Sequence, residues 1–401
     1  DQGQVLAAID GAVVVRRQDL VEHEARLYPA RCLDFLPTFQ SYFSIFESSL
    51  IPRRTSIKYH ACVSESKVWE SPNAFQPKNG DGEAPRSGAD AHELSPIPLK
   101  ANAGYEPFPS LSSMADVYIT SVGSVFNKKD FIVLKTCKRE IFANRKPELP
   151  QSIERYEKVF VMTQHWGDGY FHFVSECLPR ITLMLDLLLE YPEIKIAVHG
   201  TNEAHIPRRK YMSEFVELLG LSRSRLVFIH AEVAFIPEST PCGQPLTAGI
   251  VLLRSALLKA LYPQTGGVVP PTPRPLIIFI VRSTRRGLLN SAQVEEALRQ
   301  NFPEHDVVRF HGTGSIRSQL LSFSKASLIV APHGAGLSNM MVAPLHTPVL
   351  EIGPPACPDC YVQLALKLQH LYGRHPAVDR WDAKCGDFYK PDVKELMAIA
   401  R

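Results

Sequence analysis

Between residues 158 and 230, short apolar runs alternate with longer stretches in which apolar positions recur every three or four residues. A short continuous apolar run fits a strand buried on both faces, and the three-to-four repeat is one face of a helix. The pattern predicts strands over 159–163, 195–199 and 225–229, with helices over about 171–190, 211–220 and 249–261. A second alternation follows, with strands over 276–281, 307–310, 328–331 and 348–352 and helices over 292–300, 316–324, 361–371 and 391–400. Strands alternating with helices imply a parallel sheet closed by crossover helices. Shorter runs at 117–120, 124–126 and 131–134, around the polar turn Lys128-Lys129-Asp130, predict a small β unit ahead of the main fold.

Residues 263–275, rich in Pro and Gly, cannot sit inside helix or sheet and predict a hinge, set at 266–275. The expected organisation is an N-terminal extension over 1–114 with a flexible loop at 64–113, then two domains at 115–265 and 276–401. Helical segments are expected near 20–27 and 35–50, and the last helix is long enough to cross back over the hinge. The fold class is therefore α/β, two Rossmann-like doubly wound domains facing a cleft, where the strand C-termini of such sheets bind ligands.

Composition narrows the field. The 401 residues are enough for two or three domains, and 45% hydrophobic with 21% charged residues is a globular balance. A net charge of +3 gives no reason to expect nucleic acid or an anionic membrane as partner. No apolar run reaches the roughly 18 residues of a membrane helix, so a membrane is expected only through an anchor outside this chain. Eight cysteines form an even set, compatible with disulfides or buried thiols. Cys357-Pro-Asp-Cys360 lacks the second pair that a zinc ribbon needs, and no metal is expected.

Three stretches carry candidate chemistry. After the strand over 328–331 come Pro332, His333, Gly334, Ala335 and Gly336, a strand, tight turn and helix start whose small residues admit a ligand to the backbone. First-turn amides and the helix dipole favour an anion there, phosphate above all. Glu351, on the next strand, would lie beside the same pocket. Arg282, Arg285 and Arg286 follow the strand over 276–281 and place guanidinium forks suited to a diphosphate on that edge. A packing turn and a solvated basic loop are the plain alternatives. In the first half, His172 and Glu176 are four apart at a helix start, a base and a partner able to take a proton from a hydroxyl, or else a surface pair. Asp168 sits in the Gly-rich turn before them. The chain has no D-x-D, H-E-x-x-H, Walker or G-x-S-x-G motif, which disfavours a metal-dependent single-domain transferase, a zinc peptidase, a P-loop enzyme and an α/β-hydrolase.

Three stretches together resemble glycosyltransferase family 61: Tyr170-Phe-His-Phe-Val-Ser-Glu-Cys-Leu-Pro-Arg180, Phe279-Ile-Val-Arg-Ser-Thr-Arg-Arg286, and Ala331-Pro-His-Gly-Ala-Gly-Leu-Ser-Asn339 with Val349-Leu-Glu-Ile352. The resemblance covers about residues 115–370. It implies a GT-B fold and an inverting, metal-independent transferase that needs no cofactor and uses a UDP-sugar as co-substrate. Xylose is the favoured sugar, with N-acetylglucosamine or arabinose next, and the acceptor is a hydroxyl of a glycan or glycoprotein. The first domain would take the acceptor and the second the donor, in the Golgi or ER lumen. Glu176 or His172 would be the base, with Asp168 an outside candidate. Donor binding would fall to Arg282, Arg285, Arg286, His333, Gly334, Ala335, Gly336, Leu337, Asn339 and Glu351. A non-catalytic nucleotide- or glycan-binding protein of the same fold is the alternative.

Overall fold

The computed structural model describes residues 155–182, 184–198, 210–227, 230–237, 240–354, 356–375 and 384–401, and ahead of them a set of strands between residues 5 and 132. The helices expected over 20–27 and 35–50, and most of the loop expected over 64–113, lie outside the described residues. The chain divides into two compact units, Asp1–Ser66 with Ala103–Gly267 and Lys67–Asn102 with Val268–Arg401. Each is an α/β unit containing parallel strands.

In the first unit, strands Leu226–Val227, Lys195–Ala197, Arg155–Val161 and His230–Pro237 lie side by side in parallel. His230–Pro237 then pairs antiparallel with Pro107–Ile119, which continues to Val125–Phe126 and Phe131–Ile132. The short strands expected as a separate β unit are therefore the antiparallel wing of one sheet. Val117, Val125, Val159, Val161 and Ala234 form its buried core.

The helix expected over 171–190 is broken. Tyr170–His172 is α-helical, Phe173–Cys177 is a π-helical turn, Leu178–Thr182 returns to α, and a separate helix spans Leu185–Glu190. The Leu178 amide reaches back five residues to the Phe173 carbonyl. Pro179 follows it and has no N–H to offer the carbonyl four residues back, which favours such a wide turn. Single π turns inside α-helices recur at functional sites, and Glu176 is in this one.

The second unit is an all-parallel sheet of five strands, here β1 Leu276–Ile280, β2 Asp306–Phe310, β3 Ala326–Pro332, β4 Pro348–Ile352 and β5 Leu371–His375, in the order β2-β1-β3-β4-β5. β1, β3 and β4 are buried almost throughout, as strands covered on both faces must be. Ile277, Phe279, Val330, Leu350 and Ile352 meet Val294 and Leu298 of helix Ser291–Asn301 in one core. β5 replaces the end of the helix expected over 361–371, which stops at Lys367. The last helix, Val393–Ala400, is capped by the Asp392 carboxylate, which accepts from the amides of Lys394 and Glu395, and it buries Leu396 and Met397 in that same core. The strand order reverses between β1 and β3, and in doubly wound sheets the crevice at such a reversal, off the strands' carboxyl ends, is where ligands bind. Among the described residues no helix is long and apolar enough to cross a membrane.

Candidate functional site

The carboxyl ends of β1 and β3 bring two predicted segments into contact. Arg282 follows β1, and Gly334 follows β3 by two residues. A Cβ built on Gly334 would lie 2.2 Å from Nη1 of Arg282, so glycine is the residue that lets the guanidinium lie against the turn. Arg282 Nε donates to the Arg285 carbonyl at 3.0 Å, which folds the loop under its own side chain. Arg286 takes a left-handed backbone conformation, φ 66°, costly for a residue with a Cβ. Its Nε is buried without a hydrogen-bond partner. Burial, and after it the like charge of Arg286, lowers the pKa of Arg282 below its ordinary value. Among the described residues no carboxylate forms an ion pair with Arg282, Arg285 or Arg286. Two guanidinium groups therefore share one site, and among the described residues neither is paired with a carboxylate.

Tyr361 and Tyr389, which the sequence did not single out, lie close enough to both arginines to interact with them electrostatically. Burial raises the Tyr361 pKa well above normal and that of Tyr389 to about 12, so both remain neutral O–H donors.

The glycine turn opens a 3-10 helix, Ala335–Val342, tighter than the helix expected there. Its first bond, from the Leu337 amide to the Gly334 carbonyl, is 3.0 Å. The amides of Ala335 and Gly336 precede that bond, and the first amides of a helix have no partner within it. Ala335 and Gly336 are half-buried, whereas Leu337 and Asn339 are buried in the unit's interior. Gly336 packs on the β1 side chain Ile280, 3.3 Å from where its own Cβ would stand.

His333 is anchored from below. Its amide donates to the Ile352 carbonyl at 2.9 Å, its Nδ1 is in close contact with Glu351 Oε1, and its ring meets Tyr361 edge-on at 4.9 Å. Glu351 is fully buried, and Arg374 donates to its Oε2 through Nε at 3.1 Å and Nη2 at 3.0 Å. Arg374 also donates to Asp359 at 3.0 Å. Glu351 therefore supports His333 rather than lining an open pocket. No local pattern points to Arg374, because its role depends on β5 standing beside β4.

Cys357 pairs with Cys385, not with Cys360. His333, Cys357 and Cys385 have ligating atoms within 4.8 Å of one another, but both sulfurs are used in the disulfide.

In the first unit, His172 Nδ1 lies 3.0 Å from Glu176 Oε2, close but not aligned for a hydrogen bond. Glu176 is fully buried, and its carboxylate accepts from Gln164 Nε2 at 2.9 Å and from the Gly243 amide at 2.8 Å. Gln164 is fixed in turn by Thr240, donating to its carbonyl and accepting from its amide, both at 3.1 Å. The His172 side chain keeps 20% of its surface exposed. Asp168 is half-buried in the preceding turn, and its backbone carbonyl accepts from the Tyr211 hydroxyl at 2.5 Å. Arg180 is buried and donates to the carbonyls of Met162, Thr163 and Pro237 at 2.8–2.9 Å, joining the helix to the ends of two parallel strands. Burial lowers its pKa to about 10 and raises that of Cys177 to about 12.

Among solved structures, the chain is similar to two mutants of a flavo di-iron protein from Thermotoga maritima. One is 11% identical over 56% of this chain and 50% of that protein, with a TM-score of 0.24. The other is 9% identical over 73% and 63%, with a TM-score of 0.21. The chain thus spans less than two thirds of either protein's length, and at these scores the likeness carries no argument. No curated protein matches the chain. The family model Glycosyltransferase 61 matches residues 170–350, a span that begins at the His172 helix, takes in Arg282, Arg286 and the Gly334 turn, and ends on β4. The match supports a member of glycosyltransferase family 61, the family that the three motifs resemble, and that family implies glycosyltransferase activity.

Proposed function

We propose that the protein is an inverting, metal-independent transferase of GT-B type that moves a sugar from a UDP-sugar to a hydroxyl of a glycan or glycoprotein. The second unit takes the donor and the first the acceptor. The observation that carries the donor assignment is the pair Arg282 and Arg286, neither paired with a carboxylate among the described residues, beside Gly334 where the strand order reverses. A diphosphate has anionic oxygens that suit both guanidinium groups, and charge-assisted hydrogen bonds to them are each worth about 1.5–3 kcal/mol. The amides of Ala335 and Gly336 add neutral donors.

In the first unit, His172 is the base and Glu176 its positioning partner. Glu176 has no route to an acceptor because it is fully buried and its oxygens are engaged. His172 turns Nδ1 toward that carboxylate, which leaves Nε2 for the acceptor proton. In the transfer, the acceptor oxygen forms a bond to the anomeric carbon as the bond from that carbon to the diphosphate oxygen breaks. The hydroxyl proton goes to His172, and the leaving group carries the electron pair away as UDP. Charge developing on UDP meets donors already in place, a preorganised electrostatic effect. That is the work a metal ion does in other transferases, and the arginines perform it here.

Xylose is the favoured sugar, with N-acetylglucosamine and arabinose next, and the Golgi or ER lumen the favoured site. The disulfide Cys357–Cys385 is in keeping with an oxidising compartment. A screen of UDP-xylose, UDP-N-acetylglucosamine, UDP-arabinose and UDP-galactose with EDTA present tests the reading. Release of UDP from one of these donors supports it, and release only when a divalent metal is restored overturns metal independence.

A further inference from the structure

We infer that Trp166 is a stacking platform for a sugar ring of the acceptor, so that the hydroxyl glycosylated belongs to a carbohydrate and not to a peptide side chain. This rests on the assignment of His172 as the base.

Trp166 leaves 40% of its surface exposed. Its backbone is left-handed, φ 62°, a conformation that strains a bulky residue and persists only where the surroundings enforce it. They do so here. The Gly167 amide donates to the Gln164 carbonyl at 2.9 Å and the Gly169 amide to the Trp166 carbonyl at 2.8 Å, so two hydrogen bonds hold the turn around the indole. Gly167 has no room for a side chain, since a Cβ there would lie 2.7 Å from Cys177 Sγ and 2.8 Å from the Gln164 carbonyl oxygen. Gln164, the residue that starts this turn, is the same one that binds Glu176.

The turn delivers the indole to the base. Its ring stands 5.4 Å from that of His172, edge to face at 62°, and is stacked on His165 at 5.5 Å. Packing alone would bury an indole this large, and here the strained turn holds it at the surface against the imidazole. An aromatic face carries partial negative charge, and the C–H face of a pyranose ring carries partial positive charge. A sugar ring laid on Trp166 would bring its hydroxyls to the edge where His172 stands. A serine or threonine side chain has no flat C–H face to offer. Tryptophan also supplies this contact area with only two side-chain torsions to fix.

The test is direct binding by calorimetry on the full chain, using xylohexaose, a core N-glycan heptasaccharide and a serine/threonine-rich decapeptide, with UDP titrated in parallel. The inference expects one of the oligosaccharides to bind. Trp166→Ala and Trp166→Leu should raise its Kd about tenfold to a hundredfold, and Trp166→Phe should restore most of the affinity. Which oligosaccharide binds separates a polysaccharide acceptor from a protein-linked glycan. UDP binding with no oligosaccharide bound, with binding indifferent to Trp166, or with only the peptide bound overturns this inference and leaves the transferase reading standing. No binding of UDP counts against the transferase reading itself.

Discussion

The guanidinium of Arg282 fills the space that a side chain on Gly334 would need: a Cβ at that position would be 2.2 Å from Nη1. Gly334 is extended, with φ 165°, so an alanine there is not strained in its backbone. Its methyl group meets the end of a flexible side chain that can swing away. Gly334→Ala should therefore cost little stability, within about 1 kcal/mol, while displacing the arginine and weakening UDP binding about tenfold or more. Melting temperature and UDP titration on the same sample check both halves.

Removing either guanidinium should act on the leaving group. Arg282→Ala or Arg286→Ala is expected to lower turnover about tenfold to a thousandfold, the range for one preorganised donor. Arg282→Lys keeps the charge and loses the fork, and it should recover only part of the rate. Steady-state kinetics on the preferred donor separates these outcomes.

His172 and Glu176 should part company in stability. His172→Gln is expected to abolish most turnover and leave folding nearly intact, because the ring is partly exposed. Glu176→Gln replaces two acceptor oxygens with one, so one of the two donors, Gln164 Nε2 or the Gly243 amide, loses its partner. An orphaned buried donor costs about 1–3 kcal/mol. Denaturant unfolding of both variants, beside their rates, distinguishes the base from its support.

Strands β1, β3 and β4 were legible because parallel strands covered on both faces read as continuous apolar runs, and 348–352 was placed without error. β5 was not legible. Its sequence, Leu-Tyr-Gly-Arg-His, ends in two polar residues that are nonetheless buried, Arg374 against Glu351 and His375 near Glu395. The spacing of His172 and Glu176 brought the two side chains within reach as expected, but the π turn between them and the partners from 240 and 243 are long-range features with no local signal. Arg180 stood in the first motif and could have been suspected, since an arginine amid apolar helix positions needs carbonyl partners.

The cysteine spacing was open to a wrong pairing, because the C-x-x-C invites a local bond and Cys357 instead reaches Cys385, 28 residues on. A loop of that length is worth about 3–4 kcal/mol by the chain-entropy account. Cys385→Ser should lower stability by about this much, read from denaturant midpoints.

Burial lowers the pKa of His375 below its ordinary 6.5 in spite of Glu395 beside it. A depressed folded-state value means that the neutral form is favoured by folding. The contribution is present above 6.5 and is lost as pH falls from there through the folded value. Unfolding free energy measured from pH 7.5 down to 5 should decline across this window, and His375→Gln should flatten that part of the decline.

The most direct measurement is calorimetric titration of UDP into the full chain in EDTA, for the wild type and for Arg282→Ala. Saturable binding that weakens about tenfold or more in the variant is the predicted result. Absence of binding, or equal affinity in both proteins, would contradict the placement of the diphosphate beside Arg282 at the Gly334 turn.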